Sequence, residues 1–483
     1  MRQVKRPLIL YTAVLLAYLL VGLTQSWTLA LTLLCDGLIV AIAALGVNIQ
    51  WGYAGLFNVG VAGFFAFGGL AVALVAMPLN PEAWSAGTPM ILAALAFGAL
   101  IIFLTARVYR SKAPEITRLT LAAVLLIAGL IGFRIVFDPA VVAVEALNPA
   151  SAGNVGGLGL PVPLSWLLGG IFAAGAAWVV AKTALGLRSD YLAIATLGIS
   201  QIIIIVLKNE EWLDRGVKNI TSIDRWPVPQ EANLQQQDWF GGAANYVGTD
   251  VRTASTIFVA LCFASLLAVV LLVLVLLAEC SLKSPWGRMM RAIRDNETAA
   301  EAMGKNVKQR HLQVFILGSA VIGIAGALYV TLHGLFSPVS YDDPLRYTFL
   351  IWAMVILGGS GNNWGAVLGA LIVMLIWGQA ENLGPALFQL FTAPLAEGPL
   401  KAHLIDTAVQ MRLPMVGLML LLVLRFSPRG LLPEQECADE RSVHIPQIQL
   451  RRGSRKARLC ERKQQPESVA IGGNGVGTYT SMQ

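Results

Sequence analysis

Charge is scarce in this chain. Only 13% of its 483 residues are Asp, Glu, Lys or Arg, against roughly 25% in an ordinary soluble domain. That scarcity excludes a water-facing surface over most of the molecule. Histidine is scarcer still: His311, His333, His403 and His444 are the four copies, and no two stand at metal-ligand spacing. A zinc or di-metal centre, which needs three or four donors held close together, is therefore not expected. The five cysteines, Cys35, Cys262, Cys280, Cys437 and Cys460, are scattered, and reduced thiols are the natural reading. A phosphate-cradling G-x-x-x-x-G-K-[ST] loop is missing, since Gly304-Lys305 is followed by Asn306 and GGSGNNWG at 358–365 has no lysine. This chain is thus read as no enzyme and no ATP binder, with any energy for uphill transport entering from another subunit. Ion-coupled pumps carry titrating groups deep inside their helices, and these too are nearly absent. Asp36, Arg134 and Glu381 stand near the ends of apolar runs, where capping or snorkelling accounts for them.

What the chain has is apolar length. The apolar fraction is 56% and the mean hydropathy +0.67. A bilayer core about 30 Å thick takes about 20 apolar residues per helix. Runs of that kind fall near 8–23, 31–48, 56–76, 90–106, 119–137, 161–182, 191–207, 254–279, 311–332, 347–358, 364–381 and 411–425. Lipid offers no partner for backbone N–H and C=O, so helices are the expected element. The fold class is all-α, a polytopic bundle of about 10–12 transmembrane helices spanning 1–432. Gly358, Gly359 and Gly361 split the tenth run from the eleventh, giving either one broken helix or two short ones. The opening MRQVKRPLILYTAVLLAYLL looks like a secretory signal but has no clear small-x-small site, and it reads as an uncleaved first helix.

Lys and Arg cluster at alternate connections, which sets an expected orientation. Arg2, Lys5 and Arg6, then Arg107, Arg110, Lys112 and Arg118, then Lys182 and Arg188, then 283–310, then Arg425 and Arg429 fall on one side. Loops 24–30, 77–89 and 138–160 carry none. Both termini come out cytoplasmic, and 208–253 becomes the long outer loop.

The segment GRMMRAIRDNETAAEAMGKNVKQR at 287–310 is polar between two apolar runs. At 100° per residue, Met289, Ala292, Ile293, Asn296, Ala299, Ala300 and Met303 gather on one side of a single amphipathic helix, with Arg291, Arg294, Thr298, Glu301 and Lys305 opposite. Gly304 is placed to end it in the left-handed conformation. An in-plane helix on anionic headgroups and a helix docking a cytoplasmic partner both fit this pattern. The alanines make its apolar side shallow, which suits a groove better than deep lipid insertion.

RAIRDNETAAEAMGKNV resembles the cytoplasmic coupling loop of ABC importer permeases, specifically the LivM-type permeases for branched-chain amino acids. Further stretches match in order: WGYAGLFNVGVAGFFAFGG from Trp51, LRSDYLAIATLGISQII from Leu187, VILGGSGNNWGAVLGA from Val355 and LRFSPRGLLPE from Leu424. The resemblance covers roughly 30–435. It departs at Asn58 and Val61, and RGVKNI at 215–220 replaces the family's outer Gly-Gly-Pro-Asn-Gly segment.

The resemblance implies an inner-membrane subunit of an ATP-driven importer. Two cytoplasmic ABC ATPases, a second LivH-type permease, a periplasmic solute-binding protein and surrounding lipid are its implied partners, and the ATPases, not this chain, use ATP and Mg²⁺. Arg288, Arg291, Arg294, Asp295, Asn296, Ala299, Ala300, Glu301, Ala302, Met303 and Gly304 would form the ATPase-coupling helix. Asn48, Asn58, Gly60, Asn362 and Asn363 are candidates to line a solute path, because an amide can meet a zwitterion without fixed charge. Gly60, Gly63, Gly68 and Gly69, and the small-xxx-small pair Gly365 and Gly369, are expected to pack helices closely. In the loop, Glu210, Glu211, Asp214, Arg215, Lys218, Asp224 and Arg225 suit an electrostatic encounter with the binding protein. A urea or amide permease shares this architecture, and a secondary transporter is the more distant alternative. After Pro433 the chain turns polar, with RRGSRKARLCERK at 451–463, and 433–483 reads as a disordered basic tail that meets lipid, not nucleic acid.

Overall fold

The computed structural model describes residues 2–112, 114–147, 154–221, 223–392 and 412–434. Each apolar run of the sequence lies on a helix over most of its length. These are α1 (Arg2–Thr24), α2 (Trp27–Val47), α3 (Val61–Ala76), α4 (Thr88–Tyr109), α5 (Glu115–Glu145), α6 (Val162–Ala184) and α7 (Ser189–Asn209). The chain continues with α8 (Val251–Lys283), α9 (Pro285–Asp295), α10 (Glu297–Ala302), α11 (Val307–His333), α12 (Leu350–Gly358), α13 (Asn363–Thr392) and α14 (Arg412–Phe426). Among the described residues nine helices are long and apolar enough to cross a membrane, and Val61–Ala76 and Leu345–Gly358 are two shorter apolar helices. Two isolated bridges, Leu79 with Gly156 and Ile220 with Phe336, are the β-pairings found there. The side chain of Glu381, and His403, His444, Cys437, Cys460 and the basic 451–463 cluster, lie outside the described residues.

The run expected at 56–76 starts later, at Val61. After α2 the chain widens into a π-turn, Asn48–Gly52, and after Ala54 runs without helix to Gly60. Tyr53, Ala54, Leu56, Asn58 and Val59 in this stretch are buried. Irregular backbone at membrane depth is tolerated only where protein supplies the missing hydrogen bonds, and here it does. The Trp352 indole donates to the Asn58 carbonyl at 3.0 Å, and the Val59 N–H donates to the Thr196 hydroxyl at 3.1 Å. The break between the tenth and eleventh runs resolves as two helices, separated by Gly359 and Gly361 at positive φ.

Helices α2, α3, α11 and α13 form the buried centre, with Ile39, Leu45, Phe65, Phe315 and Leu368 fully enclosed. Lipid is as apolar as leucine, so burial from water does not drive these contacts, and close packing has to. At Gly68 the α3 backbone meets α11 so tightly that a Cβ would sit 1.8 Å from the Gly323 carbonyl oxygen. Helices α4 and α5 pack on each other and leave Ile102, Phe103, Val124 and Ile135 exposed.

Candidate functional site

The segment expected to be one amphipathic helix is two. Helix α9 ends at Asp295, Asn296 adopts φ −156° and ψ 98°, and α10 begins at Glu297. The cause is the Asn296 side chain, which accepts a hydrogen bond from the Ala299 N–H at 3.0 Å and from the Thr298 hydroxyl at 2.8 Å. Asparagine offers its own carbonyl to nearby N–H groups, and so starts a new helix where it would otherwise sit mid-helix. The buried face shifts accordingly. Met290 and Ile293 anchor α9, while Asn296, Ala299, Glu301, Ala302 and Met303 are exposed and Ala300 is half-buried. Gly304 has φ +77° with open space around its Cβ position, so a side chain there meets backbone strain and no clash. Arg288 is exposed, and Arg291 donates to the Leu282 carbonyl at 3.3 Å, closing the turn between α8 and α9.

Arg294 ties this segment to the membrane core. Its Nη1 donates to the Gly52 carbonyl and, at 2.9 Å, to Glu434 Oε2, while Nε donates to Asp295 Oδ1 at 3.1 Å. Arg294 and Glu434 are each only about a quarter exposed, so their pair escapes much of the screening that weakens surface ion pairs. Beside them Gly361 donates its N–H to Asn48 Oδ1 at 2.9 Å, and Asn48 donates to Asn363 Oδ1 at 3.1 Å. Asn363 in turn donates to Glu279 Oε1 on α8 at 3.1 Å. A second branch runs from Asn58 to Gln50 Oε1 at 2.9 Å, and from Gln50 to the Phe315 carbonyl and the Ser319 hydroxyl of α11. Asn362 bridges the Pro433 carbonyl and the Gly365 N–H, and Asn58 Oδ1 accepts from the Gly60 N–H at 2.9 Å. Asn48, Asn58 and Asn363 are fully buried with their amides committed to protein partners, as buried polar groups in native structures are. This set of buried polar groups thus lies directly against the 287–304 segment, where Gly361 adjoins Arg294 and Glu434. Gln50, Glu279 and Glu434 are the residues here that sequence reasoning missed. The doublet Asn48 and Gln50 inside an apolar run was the signal available for Gln50.

The family model for the permease component of branched-chain amino acid transport systems matches residues 29–145 and 140–424. The chain belongs to this permease family. Among its curated relatives, the high-affinity branched-chain amino acid transport permease LivM of Escherichia coli K12 is 26% identical over 336 residues, covering 68% of each chain. LivM of Salmonella typhimurium LT2 is 28% identical over 255 residues, 52% of this chain and 57% of the relative. A probable LivM of Methanocaldococcus jannaschii is 25% identical over 297 residues, 61% of this chain and 74% of the relative. No solved structure matches the chain.

At the other end of this family member, the 208–253 loop packs back on the bundle instead of standing free. Lys208 pairs with Asp342 at 2.7 Å and Lys218 pairs with Glu211. Asp214, expected on an encounter surface, is fully buried: Oδ1 accepts the Gly216 N–H at 3.0 Å and Oδ2 has no hydrogen-bond partner. Burial pushes its carboxyl up to about 7, with Glu210 adding to the rise and the Gly216 N–H opposing it. Asp36 does not snorkel; it lies 3.2 Å from Nε2 of His333 on α11, largely enclosed.

Proposed function

We propose that this chain is the path-forming subunit of an ATP-driven importer for branched-chain or other hydrophobic amino acids. It works with a second LivH-type permease, two cytoplasmic ATPases and a periplasmic solute-binding protein, in a bacterial inner membrane with both termini cytoplasmic. The observation that carries this reading is the exposed α10 tip held to the core through Arg294. Residues Asn296 to Gly304 present small side chains and Glu301 to an incoming partner, while Met290, Ile293 and Arg294 root α9 beneath them. A push on α10 is transmitted through Arg294 to Gly52 and Glu434, and through Gly361 to Asn48, Asn363 and α8. Closure of an ATPase dimer would in this way rock α2, α8 and α13 together as packed bodies. The chain supplies the lever and the partner supplies the chemistry.

The test is a pull-down from mild detergent comparing wild type with the double variant Ala300→Trp, Glu301→Arg. An ATPase that co-purifies with wild type, turns over ATP, and is lost from the variant is the expected result. ATP-independent uptake of leucine by wild type in proteoliposomes would sink the reading.

A further inference from the structure

The loop end of the bundle carries a cavity of about 540 Å³, a volume in the range of small-molecule sites. Its walls include Arg225, Glu231 and His333, with Ile223 and Leu335 supplying apolar surface. The wall is held by backbone pairing: Ile220 and Phe336 exchange N–H···O bonds at 2.9 Å, and the Ile223 N–H donates to the Gly334 carbonyl at 3.3 Å. Arg225 is pinned where it stands. Its Nη2 donates to the His333 carbonyl at 3.2 Å, and a Cβ on Gly334 would sit 3.1 Å from its Nε. Glu231 opens a short helix, Glu231–Gln235, fastened to α8 by the bond from Gln235 to the Ser255 hydroxyl at 2.9 Å. His333 is fixed from behind by Asp36 at 3.2 Å.

Arg225 and Glu231 are half-buried, and among the described residues neither enters an ion pair. A guanidinium with one donor spent on a backbone carbonyl and a carboxylate outside any ion pair, both lining one cavity, leave further donors and a pair of acceptors for a ligand. Charged groups held this way form strong, directional bonds to a ligand of opposite charge. We propose that this cavity receives a free amino acid: the carboxylate of the zwitterion meets Arg225, its ammonium meets Glu231, and an apolar side chain lies on Ile223 and Leu335. This inference rests on the function proposed above and names the recognition site for its solute. Arg225, already held by the His333 carbonyl, avoids part of the ordering cost that binding would otherwise incur.

The experiment measures binding of radiolabelled leucine to the full chain in nanodiscs, with leucinamide and N-acetyl-leucine as competitors, for wild type, Arg225→Gln and Glu231→Gln. Wild type is expected to bind leucine well ahead of both blocked analogues. Arg225→Gln should lose leucine affinity tenfold or more while its affinity for leucinamide stays unchanged, and Glu231→Gln should do the same with N-acetyl-leucine. Leucine binding that is absent from wild type, or equal in all three proteins, overturns the site. So does loss of solute-binding-protein capture by the variants with leucine binding intact, which would assign the charges to that partner. ATP-driven leucine uptake by the assembled transporter separates the two readings: uptake with an unaltered KM in both variants removes the site and leaves the function, and no uptake by wild type removes the function.

Discussion

Asp214 shows how far a residue's environment departs from its type. An aspartate in a loop is ordinarily solvated and ionised, with a carboxyl near 3.8, yet here burial lifts it to about 7. A raised carboxyl means that the folded loop holds a proton that the unfolded loop releases first. The loop is therefore most stable below about pH 4 and loses that stability as pH rises through about 7. Hydrogen exchange over 210–221, corrected for intrinsic rates, is expected to be slower at pH 5 than at pH 8 in wild type and to lose this difference in Asp214→Asn. A second residue-scale outcome concerns Asn48. Its side chain accepts from the Gly361 N–H and donates to Asn363 Oδ1 in a site closed to water. Asn48→Ala is expected to cost about 1–3 kcal/mol, the penalty for each buried polar group left unpaired, read as a lower melting temperature in detergent. An unchanged midpoint would mean that water reaches the site. Neither effect was legible beforehand, because burial and hydrogen-bond partners of single side chains are not properties of local sequence.

Among the elements, the apolar runs located the helices well, since length and hydropathy are what lipid selects. The misses fall where side chains compete with the backbone. Asn296 splits the polar segment into α9 and α10 by capping Ala299, and Leu56 to Gly60 forms irregular, mostly buried backbone where a helix was expected. Periodicity treats every residue as helical and cannot see either event. The glycines read as packing residues do approach their neighbours closely, and Gly68 offers the sharpest test. A Cβ there would lie 1.8 Å from the Gly323 oxygen, whereas one on Gly175 of α6 would meet nothing within 4 Å. Gly68→Leu is expected to abolish the yield of folded protein from detergent extraction, and Gly175→Leu to leave it near wild type. Equal yields would show that α3 and α11 can separate at little cost.

For the whole molecule, the distribution of burial divides centre from periphery. Helix α2 is mostly enclosed while α4 and α5 expose most of their apolar side chains, so the pair presents the apolar periphery of the bundle. A bilayer-soluble photolabel applied to the isolated chain is expected to mark Ile102, Phe103, Val124 and Ile135 and to spare Ile39, Ile42 and Leu45. Labelling of α2 to the same extent would contradict the arrangement. The sequence by itself determined that the chain is a many-spanning helical membrane protein and which family it belongs to. Apolar length is a local property that lipid reads directly, and the recurring polar and glycine-rich motifs lie in contiguous stretches. Only the tertiary structure decided that Arg294, Gly52, Gly361 and Glu434 meet, that Asn48 and Asn363 join them, and that Asp36 faces His333. Those contacts span most of the chain's length, and hydrogen bonds of that kind follow from where the helices cross, which no local pattern encodes.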